Sequence, residues 1–284
     1  MKKIRMFAFA DEAGEQLDQQ IAAMQRNHLD GLEIRNVDGA NISDLSCEKA
    51  REIHKKLEDA GLTVWSVGSP LGKIDIETDD FAAHCEKFRH TLELSHILGA
   101  ENIRLFSFYI PKGRRPEDFH DEVIDRLGQF CELAKGSGIA LCHENEKGIY
   151  GDTAPRCRQI LDALPDLYGV FDPANFVQCH QDTAAAWELL QDRIRYLHIK
   201  DALPDGSVVP AGYGQGKVAA ITEQFLLRGG YAFTLEPHLT VFDGLSSLER
   251  SGEESRIGQF QYPDADTAFD AACSAFRRLL PKES

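Results

Sequence analysis

Short apolar runs alternate with longer stretches of helical spacing, and the alternation repeats eight times along the chain. The short runs are RMFAFA, GLEIRN, LTVWSVG, NIRLFSF, IALCHEN, YGVFDP, IRYLHIK and YAFTLEP. Runs apolar on both sides and separated by helices predict a parallel sheet covered on both faces. Between them, Leu17, Ile21, Met24 and His28 follow the i, i+4, i+7, i+11 spacing of one helix face, and Phe81, Cys85, Phe88 and Leu92 repeat it. Glycine follows several of these stretches just before the next apolar run, as at Gly61 and Gly99, which suits a helix C-terminus feeding a strand. Eight such units in 284 residues fit a closed (β/α)8 TIM barrel better than an open doubly wound sheet, and predict a single domain over residues 1–284. No Gly-rich dinucleotide or phosphate-binding fingerprint follows any of the runs. The longest irregular stretch, residues 240–264, is rich in Ser, Gly and Glu and follows the eighth run. A loop of that length at that place predicts a lid or a subunit contact, the latter implying a homo-oligomer.

Composition removes several function classes. The chain has 46 acidic against 31 basic residues and a formal charge of −15, a field that repels polyanions and argues against nucleic acid as a partner. Seven cysteines, odd in number and without CxxC spacing, predict reduced thiols in a cytosolic protein. The opening MKKIRMFAFADEAG has too short an apolar run for a signal peptide, and nowhere do 18 apolar residues run together. The expectation is a cytoplasmic protein without membrane contact.

In a barrel of this kind the C-terminal ends of the strands converge on one mouth, where active sites are built. The fifth run ends at Glu144, the sixth at Asp172, the seventh at His198 and the eighth at Glu236. Four consecutive strands thus each deliver one metal-competent side chain at the same level. If these four point inward, Cys142, Val170, Tyr196 and Thr234 lie beneath them and fill the interior. Taken singly, each of the four could equally be a helix cap or a surface charge. Together, three carboxylates without an ion would repel one another in a partly buried mouth. A set of three carboxylates and one imidazole suits Mn²⁺, Co²⁺ or Mg²⁺, with Zn²⁺ also admissible.

The order Glu, Asp, His, Glu on these strands, the HIKD segment, the following AGYGQGKV and the closing LEPH resemble the xylose isomerase-like barrel superfamily. Within it, the chain is similar to the sugar phosphate isomerase/epimerase group that includes the ketose 3-epimerases. The resemblance covers nearly the whole chain. It implies that Glu144, Asp172, His198 and Glu236 are the four metal ligands, and that Glu144 and Glu236 double as the acid/base pair. One departure matters: the epimerases, and the related abasic-site endonucleases, usually carry His three residues after the strand-six Asp, where this chain has Asn175. Asparagine can bind a substrate hydroxyl but cannot shuttle a proton.

Further candidates surround this set. Glu146 shares a side with Glu144 and is an alternative ligand. Lys200 and His238 lie two residues beyond inward-facing ligands, in reach either of substrate or of a loop salt bridge. Glu33 and Arg35 point to one side of the second strand, where charges are costly unless paired or at the mouth. They suit a structural ion pair, or Arg35 binds a substrate carboxylate or phosphate. Lys73 falls in the loop after the third strand, and GYGQGKV reads as a flexible turn. The implied chemistry is proton abstraction beside a metal-held pair of substrate oxygens, through a stabilised enediolate, on a small carbohydrate. Return of the proton to the opposite face gives an epimerase, and to the neighbouring carbon an aldose–ketose isomerase. Expulsion of a β-hydroxyl instead gives an inosose-type dehydratase. A third reading, an abasic-site endonuclease, conflicts with the acidic balance and with the single strand-end His.

Overall fold

The computed structural model of the chain describes residues 2–242, 256–257 and 260–281. Eight strands, β1 (Arg5–Ala8), β2 (Gly31–Ile34), β3 (Thr63–Gly68), β4 (Asn102–Leu105), β5 (Ala140–Glu144), β6 (Tyr168–Phe171), β7 (Ile194–Ile199) and β8 (Ala232–Leu235), close into a barrel in that order, with β8 pairing back on β1. All eight pairings are parallel. Each strand falls within one of the eight apolar runs. Helices α1 (Leu17–Arg26), α2 (Cys47–Asp59), α3 (Phe81–Leu98), α4 (His120–Ala134), α5 (Ala154–Ala163), α7 (Thr183–Leu190), α8 (Val218–Leu227) and α9 (Ala265–Arg277) follow the strands in turn, and the short α6 (Pro173–Gln178) precedes α7.

The helix boundaries follow local chemistry. Asp80 caps α3 by accepting from the amides of Ala82 and Ala83, and Gly99 ends it in the left-handed region at φ 67°. Gly61 adopts the same conformation at φ 74°. The expected face of α1 is buried at Leu17 and Met24, but the helix stops at Arg26 and His28 lies past its end, exposed and left-handed. The expected lid or subunit contact in residues 240–264 falls largely outside the described residues.

Two layers fill the barrel. The lower is an apolar cluster of Phe7, Trp65, Cys142, Val170, Tyr196 and Ala232, with Phe7 stacked on Trp65. The inward-facing alternation expected for Cys142, Val170 and Tyr196 therefore holds, and Thr234 is fully buried at the level of His198, its register partner. The upper layer is ionic. Along the hydrogen-bonded register Glu144 pairs with Val170, and Val170 with Tyr196, while His198 pairs with Thr234. On a flat sheet Asp172 and His198 would thus lie one inward-facing repeat beyond Glu144, and Glu236 two. Barrel strands tilt against the axis, and the stagger turns this offset into a common height. That tilt assembles the site.

Candidate metal and acid-base site at the barrel mouth

One donor atom each from Glu144, Asp172, His198 and Glu236 lies within 4.8 Å of the other three, and all four residues are buried. His198 is at the centre: its Nδ1 is 2.9 Å from Glu144 Oε1 and 3.3 Å from Glu236 Oε2, and its Nε2 is 3.1 Å from Glu33 Oε2. Lys200 Nζ straddles Asp172 Oδ2 at 2.9 Å and Glu236 Oε2 at 3.2 Å. Asp172 Oδ2 nevertheless has no hydrogen-bond partner among the described residues, because the ammonium contacts it out of alignment. A buried carboxylate oxygen left without a hydrogen bond, inside an oxygen-rich set with one imidazole, fits a hard divalent cation.

Local structure explains how each carboxylate is aimed. Asp172 is the N-cap of α6: its Oδ1 accepts from the Asn175 amide at 2.9 Å, which leaves Oδ2 for the mouth, while Pro173 fills the first helical position. The cap and the candidate ligand are thus one side chain. Asn175 donates from Nδ2 to the Asn145 carbonyl at 2.9 Å and to Glu144 Oε1 at 3.4 Å. Its amide is engaged in holding β5 and its glutamate. Glu144 Oε2 faces Arg104 Nε at 3.2 Å.

Burial and neighbours set the charge states. Burial pushes Asp172 up to about 7, against the pull of Lys200 and with the push of Glu236 and Glu144. Burial also acts on Glu236, but Lys200, His198 and His238 together hold it well below the usual carboxylate range. Burial opposes charge on His198, yet the Glu144 and Glu33 carboxylates raise it well above the ordinary imidazole value. His198 and Lys200, with Arg104 on Glu144 and Arg35 on Glu236, are the cations that face the cluster.

The surrounding charges sort differently from the sequence expectation. Glu33 and Arg35 do not pair with each other. Glu33 turns to His198, Tyr196 and Ser66. The Arg35 guanidinium is held by Asp11 at 2.9 Å, Glu12 at 3.2 Å and Glu236 at 3.4 Å, so its fork is engaged by protein carboxylates rather than open to a substrate anion. Glu146 turns to Lys73 at 3.3 Å, leaving Glu144 as the strand-five member of the four. His238 is buried, stacks on Phe242, and has no hydrogen-bond partner on either ring nitrogen among the described residues. Its Nε2 lies 3.5 Å from Glu12 and 3.7 Å from Glu236, and burial holds it well below the ordinary imidazole value. Burial pushes Glu12 up to about 8.

Sequence reasoning passed over Asp11, Glu12 and Arg104. The signal was there for Arg104, a lone charge in the apolar NIRLFSF run, and for Asp11 and Glu12, which stand directly behind the first strand. The glycine-rich AGYGQGKV is not a loose turn. Asp201 accepts from the amides of Ala202, Gly212, Gly214 and Gly216, and a Cβ on Gly214 would stand 2.2 Å from its Oδ1. The loop is wrapped around a carboxylate.

The fold and the family agree. The model of the xylose isomerase-like TIM barrel family matches residues 21–250, and the chain belongs to that family. Comparison with curated protein sequences gives no significant match. Among solved structures, the chain is similar to the D-allulose 3-epimerase from Methylomonas sp. in complex with D-allulose, at 16% identity over 99% of this chain and 98% of that one, with a TM-score of 0.74. It is similar to the probable 3-DHS dehydratase AsbF involved in petrobactin synthesis from Bacillus anthracis, at 16% identity over 97% and 99%, with a TM-score of 0.73. It is also similar to the IOLI protein with a binding zinc atom, at 15% identity over 97% and 98%, with a TM-score of 0.72.

Proposed function

We propose that the protein is a divalent-metal-dependent isomerase or epimerase of a sugar or sugar derivative, with Glu144, Asp172, His198 and Glu236 as ligands and Glu144 and Glu236 as the proton-transferring pair. The observation that carries this is the buried convergence of those four donors at one height, with the two glutamates on strands on either side of β6 and β7. A bound ion supplies the acidity of the C–H between two substrate oxygens and stabilises the negative charge left when the proton goes. Glu236, in contact with His198 and Lys200, faces the same space from β8 and is the candidate to take a proton. Glu144, steadied by Arg104 and Asn175, addresses substrate from the other side. Lys200 and His238 stand beside Glu236 and, with Asn175, are candidates for substrate hydroxyls. The neighbours add support: one is an epimerase holding its sugar and another holds zinc.

The lyase is the second reading. Asn175 stands where the resembling epimerases carry His, and elimination requires proton removal from one face only; a dehydratase is among the neighbours.

Metal analysis of the purified protein, followed by a panel of ketoses and keto-polyols, tests the class. On the substrate found, Glu236→Gln and Glu144→Gln are each expected to lose about 10² to 10⁴ in net turnover. Each single variant keeps wash-in of deuterium from D₂O through its remaining glutamate. If both variants turn over normally with metal bound, neither glutamate is the base and the reading fails.

A further inference from the structure

His198 meets carboxylates on both of its ring nitrogens, and only one nitrogen can take an ion. Nδ1 faces Glu144 and Glu236, two members of the four-donor group, whereas Nε2 faces Glu33, which lies outside that group. We propose that Glu33 is the positioning residue of the site: it accepts the Nε2 proton of His198, fixes the ring in that tautomer, and so assigns Nδ1 as the metal-binding nitrogen. This rests on the metal reading above and adds to it the nitrogen used and the residue that selects it.

Four features single out Glu33. It is fully buried on β2, in register with Ser66, and is not one of the four clustered donors. Its Oε1 is fixed by the Tyr196 hydroxyl at 2.9 Å and the Ser66 hydroxyl at 3.3 Å, with Arg104 Nε at 3.8 Å. Its Oε2 faces His198 Nε2 at 3.1 Å. The ring itself is boxed by Phe9, edge-on at 5.3 Å, and by Tyr196 at 5.6 Å. A ligating histidine whose second nitrogen donates to a fixed carboxylate keeps its lone pair aimed at the ion, and loss of such a partner typically weakens metal affinity about 10- to 100-fold.

The experiment uses the full chain with and without Zn²⁺, reading the His198 ring nitrogens by ¹⁵N NMR and the affinity by competition with a chelator. The expected result is a protonated Nε2 and a Zn²⁺-shifted Nδ1 in the wild type. Glu33→Gln, which retains an acceptor oxygen but no charge, should bind Zn²⁺ about 10- to 100-fold more weakly. Tyr196→Phe, a smaller disturbance that releases Oε1, should show a lesser loss in the same direction. It also serves if Glu33→Gln does not fold. Zn²⁺ on Nε2, or wild-type affinity in the folded variants, overturns the assignment of Glu33 while leaving the metal centre standing. A wild-type chain that binds no Zn²⁺ overturns the metal centre itself, and the assignment falls with it.

Discussion

At the residue scale, the site is built by dividing each carboxylate's two oxygens between structure and chemistry. Asp172 spends Oδ1 on the helix cap and leaves Oδ2 to the mouth; Glu144 gives Oε2 to Arg104 and Oε1 to His198; Glu236 gives Oε1 to Arg35 and Oε2 to His198 and Lys200. The four donors were legible in the sequence because strand-end chemistry needs only a strand boundary and a residue type. Their partners were less so. Arg104 stands out as a lone charge in its run, but its pairing with Glu144 on the neighbouring strand is not encoded there. Glu33 on β2 meets His198 on β7 across the barrel, a distance no local spacing encodes. In the proposed reading, chelator lowers the melting temperature, because an ion held by the folded state at 100 times its Kd contributes about 2.7 kcal/mol. His198→Ala should abolish that chelator-dependent shift, measured as thermal melts with and without added metal. An equal shift in the variant would remove His198 from the ligand set.

At the element scale, the strand–helix order was readable from periodicity, and each of the eight apolar runs became a strand. The loops were less so, because their order comes from side chains that reach backward to the backbone. Asp201 gathering the AGYGQGKV amides is one case. His84 is another: on the first turn of α3, it accepts at Nε2 from the Gly72 amide at 2.8 Å and pins the loop after β3. Burial pushes His84 down from 6.5 to about 4. The unfolded chain therefore takes up this proton as the pH falls below about 6.5, while the folded chain stays neutral until about 4. Stability is full above 6.5 and declines as acid is added across that window. At pH 5 the loss attributable to His84 is about 2 kcal/mol. Urea unfolding at pH 7 and pH 5 should show it, and His84→Gln, which keeps an acceptor for Gly72, should flatten that part of the slope. An unchanged slope would mean that the folded protein protonates His84 without cost.

At the scale of the whole molecule, the last helix docks beside the first at the seam where β8 pairs with β1. Arg26 of α1 grips Asp266 and Asp270 of α9 at 2.6 and 2.9 Å, and Phe276 packs on Phe233 of β8 at a ring distance of 5.2 Å. The ion pairs are the more visible contact but the weaker one. Arg26 is 40% exposed and Asp270 41%, so their coupling in a double-mutant cycle should stay below about 1 kcal/mol. Phe276 is fully buried, and Phe276→Ala should cost about 3–5 kcal/mol in unfolding free energy. A reversed order would place the seam's strength in its charges. No helix among the described residues is long and apolar enough to cross a membrane.

The apolar floor of Phe7, Trp65, Val170 and Tyr196 has a kinetic consequence. Among the described residues it fills the barrel with apolar side chains, so in the proposed reading substrate and ion are expected to enter and leave at the C-terminal ends of the strands. In that reading Glu144, Asp172, His198 and Glu236 would hold the ion and the substrate would close over it, so metal would load before substrate and leave after it. The carbohydrate then acts as a stopper. Saturating substrate should slow the stripping of the ion by chelator, followed as the time course of activity loss. Equal stripping rates with and without substrate would show a second way out.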